Sequence, residues 1–147
     1  MARKRSQVDL ADSPEEFEAL KQGSESESAH RALIVDDDPD FCVLLREMLK
    51  WRGFEVSVAY SASDALSSMG QVRPEIMIVD IQMPEVDGLE LIRRIRSDKG
   101  LHNIPIIVVT ATAIRDMLLA SQEAGADFFL TKPLSYFELD RTINSIM

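Results

Sequence analysis

From Arg31 onward the chain alternates short apolar runs with stretches whose apolar residues recur at helical spacing, and this alternation most narrows the folds open to it. Strand and helix periods taking turns are the pattern of βαβ units with a mostly parallel sheet. Ala32 to Val35, Ile76 to Val79 and Ile106 to Val109 are nearly continuous apolar runs, as strands covered on both faces require. They are expected at the centre. Glu55-Val56-Ser57-Val58 alternates polar and apolar, so the second strand should have one wetter face and lie at a sheet edge. The fifth run, near Asp127 to Thr131, sets Phe128, Phe129 and Leu130 between polar ends and is placed at the opposite edge.

Caps and period define the helices between these runs. Asp38-Pro39 opens the first, with Cys42, Leu45 and Leu49 on one buried face, Phe41 and Met48 beside it, and Gly53 as its stop. Ser61 with Asp64 caps the second, whose inner side is Ala62, Ala65, Leu66 and Met69. Gly88, Leu91, Ile92 and Ile95 form the stripe of the third, with Glu90, Arg93 and Arg94 toward water. The fourth follows Ala113, with Ile114, Met117, Leu118 and Ser121 aligned and Leu119 off the stripe. Ser135 and Glu138 form a capping box for the last helix, Leu134 staples to Leu139, and Tyr136, Leu139, Ile143 and Ile146 give its core face.

The apolar runs end at or beside Asp36 and Asp37, Asp80, Thr110 and Lys132. In a parallel sheet these ends share one edge, where open α/β sheets place their ligands. Three carboxylates gathered there repel one another unless a divalent cation and an ammonium group neutralise them, which predicts a metal and an anionic ligand. Asp38 is read as a helix cap rather than a ligand, because Pro39 follows it at a first helical position. The seven methionines are core filler, and His30 and His102 have no partner at ligand spacing.

A chain of 147 residues with 46% hydrophobic composition suits one domain with an appendage. Residues 1–30, rich in Ser, Glu and Asp and including Gly23-Ser24-Glu25-Ser26-Glu27-Ser28, read as a polar tail ahead of a domain over 31–147. Ser13-Pro14-Glu15-Glu16 has the form of a helix start inside that tail, where Phe17 and Leu20 would need a surface to lie on. The formal charge of −9 argues against nucleic acid or an anionic membrane as a direct partner. The lone Cys42 excludes an intrachain disulfide, and neither a membrane-length apolar stretch nor a signal-peptide core is present, so a cytoplasmic protein is expected.

Residues 31–147 resemble the receiver domain of two-component response regulators. The likeness rests on Leu33-Ile34-Val35-Asp36-Asp37-Asp38-Pro39, on Met77-Ile78-Val79-Asp80-Ile81-Gln82-Met83-Pro84 with Asp87-Gly88, on Val109-Thr110-Ala111, and on Ala124-Gly125-Ala126-Asp127 through Lys132-Pro133. It implies a flavodoxin-like, doubly wound five-stranded parallel sheet of order 2-1-3-4-5 with five helices. Carried over residue by residue, it makes Asp80 the phosphoacceptor. Asp37 and Asp80 would ligate Mg²⁺ directly, Asp36 largely through water, and the main-chain carbonyl of Gln82 would complete the set. Thr110 would hydrogen-bond a phosphoryl oxygen, Lys132 would supply positive charge, and Ala111 would leave the pocket open.

The same resemblance implies a switch in which Thr110 moves toward the phosphoryl group and Phe129 rotates into the vacated space, remodelling the face of helix four, strand five and helix five. Phenylalanine lacks the hydroxyl many relatives carry there, so the inward ring is expected to be favoured even without phosphorylation. Gln82 and Thr112 occupy positions that tune acyl-phosphate hydrolysis, and the Lys132-Pro133 bond is expected to be cis. The implied donor is a sensor histidine kinase or a histidine phosphotransfer protein, docking near Phe41, Cys42 and Leu45. A downstream protein effector or a homodimer would use the helix-four face. With no output domain after Met147, the chain reads as a stand-alone receiver or as part of a longer regulator. It is expected to be no enzyme beyond assisting its own phosphorylation and dephosphorylation. The competing reading is a Mg²⁺-dependent phosphatase of the haloacid dehalogenase type, built on the Asp-x-Asp pair in Asp36-Asp37-Asp38; it leaves Asp80 without a role.

Overall fold

The computed structural model describes residues 30–83, 88–111 and 114–147. The proposed tail helix at Ser13, and Pro84, Asp87, Thr112 and Ala113, lie outside the described residues. Five strands, β1 (Arg31–Val35), β2 (Glu55–Ala59), β3 (Ile76–Val79), β4 (Ile106–Thr110) and β5 (Phe128–Thr131), form one sheet in the order β2-β1-β3-β4-β5. All four pairings are parallel. The edge positions of β2 and β5 agree with their patterning: β2 alternates exposed and half-buried residues before Ala59, and Phe128, Phe129 and Leu130 are each only half-buried.

Helices α1 (Pro39–Trp51), α2 (Ala62–Gln71), α3 (Gly88–Ser97), α4 (Arg115–Ala124) and α5 (Tyr136–Ile146) cover both sheet faces. Because side chains alternate along a strand, each central strand feeds two cores. Ala32, Ile34, Ile76, Ile78, Ile107 and Val109 pack with Cys42, Leu45 and Leu49 of α1 and Leu139 and Ile143 of α5. Leu33, Val35, Met77, Val79, Ile106 and Val108 pack with α2, α3 and α4. This double use is why those runs lack polar residues.

The caps form as the residues dictate. Asp38 accepts from the N–H groups of Asp40 and Phe41 with Pro39 at the first helical position, and the Ser61 hydroxyl accepts from Asp64 N–H. The Ser135 hydroxyl accepts from Glu138 N–H at 3.1 Å. Gly53 follows α1 with φ 89°, a left-handed conformation that removes the Cβ penalty of any other residue.

Two faces differ from the periodicity. In α4, Ile114 and Leu118 are exposed rather than buried; Ile114 is the N-cap with extended backbone, outside the helical phase, and the covered line runs through half-buried Met117 to buried Ser121 and Ala124. Leu119 is exposed, as its place off the stripe requires. In α5, Tyr136 stands in the first turn and is 40% exposed rather than buried, and Thr142 takes a buried place instead, its hydroxyl satisfied by the Glu138 carbonyl at 2.9 Å.

Candidate functional site

Three of the residues at the carboxyl edge are held by parallel-ladder bonds that continue one step past their strands. Asp36 N–H donates to Ala59 O (3.1 Å), Asp80 N–H to Val35 O (2.9 Å), and Lys132 N–H to Thr110 O (2.9 Å). The sheet therefore fixes the backbone from which these side chains project. One carboxylate oxygen from each of Asp36, Asp37 and Asp80 lies within 4.8 Å of the others. Asp36 is 2% and Asp80 7% exposed, whereas Asp37 faces solvent.

The two buried carboxylates divide their oxygens alike. Asp36 Oδ1 accepts from Asp38 N–H and Asp80 Oδ1 from Gln82 N–H, both at 2.9 Å. Their Oδ2 atoms face Lys132 Nζ, at 2.8 Å from Asp36 and 3.3 Å from Asp80. Burial pushes the Asp36 carboxyl above its ordinary value of 3.8, the Asp80 charge adds to this, and the Lys132 and Asp38 hydrogen bonds only partly oppose it. For Lys132, burial alone would favour the neutral amine. The Asp36 hydrogen bond and the Asp36 and Asp80 charges outweigh it and hold the ammonium above 10.5. The same ammonium stands over the Phe41 ring, 4.3 Å from its centroid.

Thr110 is fully buried at the end of β4, and its hydroxyl donates to Gln82 Oε1 at 3.2 Å. Gln82 Nε2 in turn lies 3.9 Å from Met117 Sδ on α4. Phe129 packs half-buried against the core shared by α2, α3 and α4. The Lys132–Pro133 bond is cis, as expected. Asp36, Asp37, Asp80, Gln82, Thr110 and Lys132 thus meet at one edge, while Asp38 is occupied as a cap. His30 pairs with Glu75 and His102 with the Lys99 carbonyl, both apart from the cluster. Cys42 and Leu45, assigned to a docking surface from sequence, are buried; on α1 the exposed apolar neighbours are Val43 and Leu44. Their inward direction follows from the i, i+3 face that packs on the sheet.

Three close contacts escaped the sequence reading. A Cβ on Gly88 would stand 2.5 Å from the Asp80 carbonyl and 2.7 Å from Ile81 Cα, so α3 approaches the Asp80 backbone as only glycine allows. A glycine opening an otherwise leucine and isoleucine stripe was the available signal. The Gln82 side chain bridging Thr110 and Met117, and the Phe41 ring beneath Lys132, join residues far apart in sequence and leave no local signature.

Chemically, the donor set is all oxygen, and the Lys132 ammonium contacts both the Asp36 and Asp80 carboxylates. Oxygen donors with excess negative charge fit a small hard divalent cation such as Mg²⁺. The ammonium and the buried threonine hydroxyl beside them fit the oxygens of an anionic guest.

The family model described as the response regulator receiver domain matches residues 32–144. Among curated proteins, the transcriptional regulatory protein PrrA of Mycobacterium leprae is 35% identical over 120 residues, covering 82% of this chain and 51% of PrrA. The chain thus spans about half the length of that relative. Among solved structures, a response regulator described as putative from Chloroflexus aurantiacus superposes with TM-score 0.78 at 34% identity, covering 81% of this chain and 98% of its own. The receiver domain of sensor histidine kinase PA1611 from Pseudomonas aeruginosa, with a magnesium ion coordinated in its active-site cleft, gives TM-score 0.74 at 27% identity, covering 80% and 97%.

Proposed function

The chain belongs to the response regulator receiver domain family, and from that premise we propose that Asp80 is its phosphoacceptor, that Asp36, Asp37, Asp80 and the Gln82 carbonyl hold Mg²⁺, and that Thr110 and Lys132 bind the phosphoryl group. Receiver domains are the phosphoacceptor switches of two-component systems, and the receiver domain of PA1611 holds a magnesium ion in its active-site cleft, which supports the assignment of the acidic cluster to Mg²⁺. The observation that carries the assignment is the convergence of three carboxylates within 4.8 Å, with Lys132 Nζ touching both Asp36 and Asp80.

Phosphoryl transfer asks a protein for positioning and charge neutralisation more than for covalent chemistry. An Asp80 carboxylate oxygen attacks phosphorus, a P–O bond forms, and the P–N bond of the phosphohistidine breaks with its electron pair leaving on the imidazole. Lys132, already at Asp80 Oδ2, neutralises the incoming oxygens. Thr110 turns its hydroxyl from Gln82 Oε1 to a phosphoryl oxygen. Bound Mg²⁺ supplies further neutralisation among the carboxylates. Water later attacks phosphorus and returns the Asp80 carboxylate and inorganic phosphate. The chain acts on no other substrate in this reading.

Movement of Thr110 and rotation of Phe129 would remodel the α4–β5–α5 face, where Ile114, Leu118 and Leu119 are exposed. That face would serve a downstream protein or a second copy, and the donor would be a sensor histidine kinase or a histidine phosphotransfer protein meeting α1. Residues 1–30 form the polar tail and 31–147 the receiver, acting in the cytoplasm on protein partners. The formal charge of −9 supports partners other than nucleic acid or membrane, and among the described residues no helix is long and apolar enough to cross a membrane. The haloacid-dehalogenase reading has no support in the family match.

Intact mass after incubation with Mg²⁺ and acetyl phosphate tests the assignment. Wild type should gain one phosphoryl group and Asp80→Asn none; addition that survives in Asp80→Asn refutes it.

A further inference from the structure

Lys132 Nζ has three partners: Asp36 Oδ2, Asp80 Oδ2 and the face of Phe41, 4.3 Å from the ring centroid. Two of these belong to the carboxylates that would turn to a divalent cation. A cation drawn in by Asp36, Asp37 and Asp80 competes for the same charge and repels the ammonium. The ring is the partner it does not share. We propose that Phe41 is a positioning residue: its π face keeps Lys132 at the phosphoryl-binding site after Asp36 and Asp80 have turned to the metal.

This inference rests on the function proposed above and deepens it. The ring itself is well placed to act as a fixed support. Phe41 lies in the first turn of α1, its N–H bound to Asp38 Oδ1 at 3.4 Å, and its side chain packs on the α1–α5 core. Its neighbour Cys42 is buried and donates its thiol to the Asp36 carbonyl at 3.4 Å, tying this turn to the strand that carries the carboxylates. The Lys132 side chain is 17% exposed, so its attraction to the ring is only partly screened by water. A neutral quadrupole attracts the ammonium without competing for the metal, a property neither aspartate has.

The test uses the full chain. In wild type, the Lys132 Hε protons should show an upfield ring-current shift that persists at saturating MgCl₂, and Phe41→Leu should abolish it. A wild-type shift that disappears on adding MgCl₂ overturns the proposal, whatever the variants do. With acetyl phosphate, Phe41→Leu should phosphorylate roughly three- to tenfold more slowly, the size of one such contact. Its Mg²⁺ midpoint should stay within about twofold of wild type, since the ring does not compete for the cation, and Phe41→Trp should restore the rate. A Leu variant as fast as wild type, or a folded Trp variant as slow as Leu, also overturns it. Should wild type accept no phosphoryl group, the functional assignment fails while the ring-current result still decides the role of Phe41.

Discussion

Replacing Lys132 with methionine keeps an unbranched side chain on the Phe41 ring and deletes the ammonium that faces Asp36 and Asp80. Both carboxylates are then buried beside one another with only their backbone donors left. Removing one partner of a fully buried ion pair costs about 3–5 kcal/mol; with Lys132 partly exposed, a loss of about 2–4 kcal/mol is expected here. The assay is urea unfolding at pH 7, in chelator and in saturating Mg²⁺. In Mg²⁺ the deficit should shrink to less than half, because a bound cation replaces the missing positive charge and stabilises the folded state that holds it.

The pH dependence follows from the direction of the two shifts. Asp36 has a folded pKa raised by burial, so from 3.8 upward the folded state binds more protons than the unfolded chain, and stability falls as pH rises through that window. Without the ammonium this window widens. The deficit of Lys132→Met should therefore diminish on acidification through the carboxylate range, and a second change, Asp36→Asn, should recover much of it. The raised Lys132 pKa works at the other end: its contribution to wild type is complete below 10.5 and is lost as pH climbs through the folded value. A deficit below about 0.5 kcal/mol in chelator, as for an exposed pair, or one equal in chelator and Mg²⁺, would refute the picture of a carboxylate cluster held together by this ammonium.

Gly88→Ala sets a Cβ into the Asp80–Ile81 backbone, so it should destabilise by about 1–3 kcal/mol and slow Asp80 phosphorylation; thermal melts and intact mass check the two. Arg96→Met removes donors to the carbonyls of His102, Ile104 and Gly125 and to the Asp127 carboxylate. A loss of about 1–3 kcal/mol is expected from the acceptors left unpaired, with hydrogen exchange rising first at the end of α4 and the start of β5.

Much of this architecture can be read from residue order because the physics acting on it is local or periodic. Ile76 to Val79 must be covered on both sides, and the structure buries all four; Asp38-Pro39 and Ser135 specify helix starts through hydrogen bonds within three residues. The acidic cluster was legible for a related reason, since parallel strands bring their carboxyl ends together whatever loops intervene. Legibility ends where contact depends on tertiary approach. The covered side of α4 is set by where its first turn begins, and Ile114, extended rather than helical, displaced the expected line. The ring of Phe41 reaches Lys132 only because α1 begins and β5 ends near the same edge.

The two ends of α4 are fastened unequally. At its far end Gly125 adopts φ 116°, its N–H returns to the Ser121 and Gln122 carbonyls, and its own carbonyl takes a bond from Arg96. At its near end Ile114 offers no side-chain cap, and among the described residues the long Gln82–Met117 contact is the polar link on that side. A rod clamped at one tip swings about the clamp, so a push delivered beside Asp80 would displace the near tip most, while the anchored half would stay registered with the sheet.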